Sequence, residues 1–131
     1  MTELLDNQRC YVCGAKNPSG LQVDFAVDKE ATAIRGRFTP RSEHQGFEGI
    51  VHGGILSALL DEAMAKLAFS LGLPAMTAEI TVKFKASAAP GEELLVTGRL
   101  LKQAHRLIEA EAKIENGTTI IAQATGKLIR I

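Results

Sequence analysis

Apolar side chains fall on alternate positions from Leu21 to Val27: Leu21, Val23, Phe25 and Val27 share one face, while Gln22, Asp24, Ala26 and Asp28 share the other. A period of two is that of a half-buried strand. Gly14, Asn17, Pro18 and Gly20 precede it, residues whose backbone preferences suit turns. After the polar pair Lys29-Glu30, Thr32, Ile34 and Phe38 share a face opposite Arg35 and Arg37, so the two segments predict a hairpin. An irregular stretch follows from Pro40 to Gly49. The period then changes. From about Gly54 to Leu71, Leu56, Leu59, Leu60, Ala63, Leu67 and Leu71 recur at helical spacing and make a stripe wide enough to lie on a sheet. Ser57, Ala58, Ala65, Ala68 and Phe69 leave the other sides small or apolar, which predicts a helix that is wrapped or faces another subunit. Gly72 and Pro74 end it. Alternation returns with Ile80, Val82 and Phe84 against Glu79, Thr81 and Lys83, and Pro90-Gly91 marks the next turn. Long strands are predicted over residues 94–101, 106–115 and 118–131, with Asn116-Gly117 as a type I′ hairpin turn between the last two. The order predicts an α+β fold, a six-stranded antiparallel sheet wrapped around one long helix.

Composition narrows the function classes. A chain of 131 residues suits a single domain over residues 1–131, with residues 1–20 as an N-terminal segment that carries the cysteines. Fifteen basic and fifteen acidic side chains cancel, so no overall field draws the protein to nucleic acid or to an anionic membrane. Hydrophobic residues make up 46%, yet no run approaches the roughly 20 residues that span a bilayer. The start, MTELLDNQR, lacks the basic-then-apolar order of a signal peptide, and a cytoplasmic location is expected. Cys10 and Cys13 supply half the ligands of a zinc site, and no histidine stands at finger-like spacing. A structural loop, a shared or partial metal site and a redox pair remain open for them; no metal and no cofactor is assigned.

The stretch His52 to Lys66, HGGILSALLDEAMAK, concentrates the chemistry. Gly53 and Gly54 let the chain bend and let a ligand approach bare N–H groups at the positive end of the helix dipole. Asp61 and Glu62 point about 100° apart on a helix. Glu62 has Lys66 four residues on, the spacing of a solvated ion pair. Asp61 has Ser57, Met64 and Ala65 as helical neighbours and no opposite charge. A carboxylate in such surroundings is a catalytic candidate, its alternative being an intersubunit hydrogen bond. Seven residues separate Gly54 from Asp61, roughly 10 Å along a helix and too far for one water to bridge. The length predicts a composite site in which one subunit's helix start faces the acid of another. His44 and His105 read as surface residues.

His52-Gly53-Gly54 followed by Leu59-Leu60-Asp61-Glu62 resembles the hotdog-fold acyl-CoA thioesterases of the phenylacetate-pathway type, in which the acid follows nine residues after the histidine. The string Cys10-Tyr-Val-Cys-Gly-Ala-Lys-Asn17-Pro18-Ser-Gly20-Leu21 resembles an N-terminal segment of one branch of that superfamily. The resemblance implies hydrolysis of an acyl-CoA thioester by a homodimer or a dimer of dimers. It implies Asp61 as base or nucleophile, amides near Gly54 as oxyanion donors with Gly53 in contact with the substrate, and Thr77 as a hydroxyl that positions water or substrate. A plain strand hydroxyl is the alternative for Thr77. His52 either contacts the thioester or fixes the turn. Phe47, Ser57 and Met64 are expected to contact the acyl group. Gly46 departs from the pattern, standing where some relatives place an assisting Asn. Lys83, Lys85, Arg99, Lys102 and Arg106 are candidates for CoA phosphates or, equally, a solvated face. A non-catalytic ligand-binding hotdog protein, an acyl-thioester hydratase or dehydratase, and a zinc-dependent interaction module are the competing functions.

Overall fold

The structure, a computed structural model, describes residues 3–131. Strand β1 (Ala26–Asp28) and β2 (Ala33–Phe38) form the predicted hairpin, and the helix α1 (Gly53–Ser70) follows. Strands β3 (Ala75–Phe84), β4 (Leu94–Ala104), β5 (Leu107–Glu115) and β6 (Ile120–Arg130) complete the chain. All pairings are antiparallel, in the order β1-β2-β4-β5-β6-β3. One face of the sheet wraps α1, burying Leu56, Leu59, Leu60, Ala63 and Leu67 against Ile34, Val96, Ile108, Ile114 and Leu128. This is the hotdog architecture. The helical stripe is as the periodicity predicts up to Leu67, with Met64 and Ala68 added to it, while Leu71 is the half-buried cap beyond the helix end at Ser70. Gly126 explains Met64: a Cβ there would come within 2.9 Å of the Met64 methyl, so the missing side chain makes room for the thioether.

The first strand is shorter than its alternation predicts. Leu21 and Val23 are buried, but their N–H groups bond to the carbonyls of Tyr11 and Val12 at 2.7 and 2.8 Å, and Gln22 at φ 55° breaks the extended run. The backbone is satisfied by the N-terminal segment instead of by the sheet, so pairing with β2 starts only at Ala26. The turn at Asn116-Gly117 also differs. Gly117 has a positive φ of 107° but Asn116 does not, and the Asn116 side chain accepts from Thr119 N at 3.0 Å, closing a longer loop than a two-residue type I′ turn.

Strand β3 is the edge that positions the site. Its ten residues bond to β6 on one side and to no strand of the described residues on the other. A register shift between Thr77 and Glu79 marks a bulge there. Met76 and Phe84 along this edge are 59% and 56% exposed. No helix among the described residues is long and apolar enough to cross a membrane.

Candidate active site

His52 opens the site as the N-cap of α1. Its Nδ1 accepts the Gly54 N–H at 2.7 Å, and its carbonyl takes Ile55 N and Leu56 N. Accepting at Nδ1 leaves the proton of the neutral ring on Nε2, and the side chain is exposed. A Cβ on Gly54 would stand 2.9 Å from His52 Nδ1. Gly54 therefore enters as the residue that makes room for the imidazole, and its N–H is already occupied. The free amide is that of Gly53, which donates to no acceptor among the described residues. The Phe84 ring lies beside Gly53, 3.4 Å from where a Cβ would be.

Gly46 packs on the same histidine: a Cβ there would come 3.2 Å from the imidazole. The loop ahead of it is fixed by His44, which corrects the expectation of a surface residue. His44 is only 5% exposed, its ring centroid lies 5.3 Å from that of Phe38, and its Nδ1 accepts Arg41 N at 2.9 Å. Burial, and secondarily the Arg41 charge, holds its pKa below the ordinary value, against an opposing pull from Glu43. Its carbonyl accepts His52 N at 2.8 Å, tying the buried loop to the helix cap.

Asp61 lies two turns along α1, half-buried, and has one partner that the helix pattern does not disclose: Thr77 Oγ1 donates to its Oδ1 at 2.6 Å. The two residues meet because β3 runs back along α1, bringing Thr77 over Asp61 and Phe84 over Gly53. Oδ2 accepts no bond among the described residues. Ser57, one turn before Asp61, is half-buried, whereas Phe47 is 84% exposed on the preceding loop. Met64 is 1% exposed and lies in the core of its own chain.

Glu62 departs from its expected pairing. Lys66 Nζ lies 3.8 Å from Asp6, while Glu62 Oε2 accepts from the Cys13 and Cys10 thiols at 2.7 and 3.4 Å. No local spacing discloses this contact, because the groups are 49 and 52 residues apart. Burial, and then the bond to Glu62 and its charge, pushes the Cys13 thiol far above its ordinary value. Among the candidate phosphate contacts, Arg99 is held by Glu111 at 2.9 Å and Arg106 donates to the Arg130 carbonyl. His105 lies, as expected, in an exposed strand turn, at φ 56°. A groove of about 940 Å³ between Arg35, Thr97, Lys113 and Gln123, on the sheet face turned away from α1, includes neither Asp61 nor Gly53. The chemistry-bearing groups lie along the helix and the β3 edge instead.

The six-stranded sheet wrapped around one helix has counterparts among known proteins. The thioesterase superfamily pattern matches residues 48–122, from the loop before His52 into β6. The chain belongs to the thioesterase superfamily. It is 32% identical over 89 residues to acyl-coenzyme A thioesterase 13 of Homo sapiens, a match covering 66% of this chain and 59% of that protein. The chain thus spans about three fifths of the length of that relative. A crystal structure of another thioesterase superfamily protein superposes with a TM-score of 0.87 at 23% identity, over 98% of this chain and 68% of that one. The PaaI protein of the E. coli phenylacetic acid degradation operon superposes with a TM-score of 0.78 at 26% identity, over 85% of this chain and 80% of that one. The superfamily match leaves the cysteine segment, residues 10–13, outside its bounds.

Proposed function

We propose that the protein hydrolyses the thioester bond of an acyl-CoA, with each site built from two copies of the chain. The observation that carries this reading is the Asp61 carboxylate, half-buried on the central helix and held through Oδ1 by the Thr77 hydroxyl at 2.6 Å. A fixed carboxylate with one oxygen left over is what a reaction with water or with a carbonyl carbon requires. The name of the human relative supports acyl-CoA as the substrate class. Gly53 and Asp61 are eight residues apart, about 12 Å along the helix, so one chain does not bring the free amide and the acid to a single carbonyl group. Strand β3, long and with no strand of the described residues on its outer edge, offers the surface on which a second copy pairs under two-fold symmetry.

In this arrangement the thioester oxygen accepts from Gly53 N–H, with His52 Nε2–H beside it, and the helix dipole favours the charge that develops there. The partner subunit's Asp61 acts through Oδ2, either taking a proton from the attacking water or itself attacking the carbonyl carbon. In the first route the water oxygen bonds to carbon, Asp61 holds the proton, and the C–S bond breaks as that proton passes to the departing thiolate. In the second, Asp61 Oδ2 bonds to the carbonyl carbon as the C–S bond breaks and the thiolate leaves. Water then hydrolyses the mixed anhydride, which frees the acyl group as a carboxylic acid, restores the Asp61 carboxylate and supplies the proton that the thiolate takes up. Release of free thiol from acyl-CoAs of short, medium, long and aromatic acyl groups tests the reading. Asp61→Asn is expected to lower kcat by at least about a hundredfold on the best substrate while the fold is kept. Undiminished turnover in that variant would remove Asp61 from the chemistry, whereas a wild-type chain that releases no thiol from any of these acyl-CoAs would leave a ligand-binding role for the fold.

A further inference from the structure

The N-terminal segment carries a group that the thioester chemistry does not use. Cys10 Sγ, Cys13 Sγ and a Glu62 carboxylate oxygen lie within 4.8 Å of one another, all three side chains half-buried. The turn that aims both sulfurs one way is closed by Gly14 N donating to the Cys10 carbonyl at 2.9 Å. It requires glycine at its end, since a Cβ on Gly14 would collide with the Cys10 backbone. Glu62 comes from α1, so the three donors converge from two separate parts of the chain.

We propose that Cys10, Cys13 and Glu62 bind one divalent metal ion of the zinc class, stapling the N-terminal segment to the central helix. Metal–sulfur bonds of about 2.3 Å and metal–oxygen bonds of about 2.0 Å place tetrahedral ligand atoms roughly 3.5 Å apart, a spacing that small side-chain rotations reach from here. Two thiolates with one carboxylate select zinc or ferrous iron over magnesium or calcium, which prefer oxygen alone. Binding releases the two thiol protons; two thiolates and one carboxylate then face the divalent ion, and water takes the fourth position. Without an ion, two weak S–H donors share a single acceptor oxygen. Asp6, bonded to Lys66 one turn further along α1, fastens the same segment to the same helix, so the metal would complete an attachment already begun. Glu62 is the residue after Asp61, yet it faces about 100° away, and the ion stays outside the thioester site.

The full-length chain, purified under reducing conditions and stripped with a chelator, is titrated with Co²⁺ and followed through its thiolate-to-metal charge-transfer absorption. The expected result is saturation at one equivalent per chain, displacement by Zn²⁺ and a higher Tm with Zn²⁺ that chelation reverses. Cys10→Ser combined with Cys13→Ser abolishes the band, and Glu62→Gln, an isosteric change, weakens binding by at least about tenfold. A reduced wild-type chain with no stoichiometric band overturns the proposal without reference to any variant. Binding that Glu62→Gln leaves unchanged overturns it too, as does recovery of the cysteines only as a Cys10–Cys13 disulfide under reduction. Thioesterase activity takes no part in these measurements, so either proposal can fail while the other stands.

Discussion

Two neighbouring glycines in one tripeptide have opposite tasks. Gly54 lacks a side chain so that the His52 ring can sit 2.9 Å from the place of its Cβ and hold its N–H, whereas Gly53 leaves an N–H without an acceptor among the described residues. Gly53 is also the first helical position after the cap, and His52 has an extended backbone at φ −60°, ψ 133°, the conformation that a residue before proline adopts. The backbone therefore tolerates proline there; its Cβ would meet the Phe84 ring at 3.4 Å, an ordinary van der Waals distance, and its ring replaces the N–H. Gly53→Pro is expected to keep the helix and the Tm within a few degrees while lowering kcat by about a hundredfold, the effect of deleting one oxyanion donor; full activity in this variant would take the amide out of the mechanism. The two tasks of His52 separate in the same way. Asparagine caps helices well, so His52→Asn should keep stability, whereas His52→Ala should lose about 1 kcal/mol in chemical denaturation. If Nε2–H also touches the thioester, both variants lose turnover together; if His52 only caps, His52→Asn stays active.

At the scale of elements, the loop from Pro40 to Gly49 acts as a buried brace for the helix cap. His44 ties it together through Arg41 N, Phe38 and His52 N, and burial keeps its pKa below the ordinary 6.5. The unfolded chain then takes up a proton at a pH where the native histidine has not. The stability contribution is thus present above about pH 6.5 and is lost as the pH falls through the lowered native value. Denaturation midpoints between about pH 8 and pH 5 are expected to fall more steeply in the wild type than in His44→Asn, whose amide oxygen can accept Arg41 N–H without titrating. Parallel slopes would assign the acid sensitivity to the carboxylates. The brace was not legible in the sequence, because a histidine among Ser, Glu and Gln carries no periodic signal and only the fold shows that it is buried. The helix and the strands from β2 to β6 were legible, since their apolar residues recur with the period of the element they form. The segment from Leu21 to Phe25 shows the limit of that logic: its alternation reports correctly which side chains are buried, but not that the N-terminal segment, instead of the sheet, takes its backbone bonds. Glu62 shows another, since helical spacing offers it Lys66, but the fold sets that lysine against Asp6 and brings two thiols from a distant turn to the carboxylate.

For the molecule as a whole, length along one helix is the ground for proposing a site shared by two chains. The separation of His52-Gly53-Gly54 from Asp61 is readable in the sequence, and α1 keeps it by running unbroken from Gly53 to Ser70. Strand β3 spans both half-sites, Phe84 beside Gly53 and Thr77 on Asp61, and its outer edge bonds to no strand of the described residues. In the dimer we propose, pairing of two such edges about a two-fold axis would run the helices antiparallel and set each amide opposite the other chain's acid. This geometry makes a prediction that no single variant can test. A chain with Gly53→Pro keeps its acid, and a chain with Asp61→Asn keeps its amide. In a mixed dimer one of the two sites is then intact and the other doubly defective. Unfolded together and refolded as an equal mixture, the two inactive variants should recover about a quarter of the wild-type activity, since half the dimers are mixed and each holds one working site of two. Each variant refolded alone should stay inactive. A mixture no more active than its components would place amide and acid in sites within single chains, and the helix length would then need another explanation.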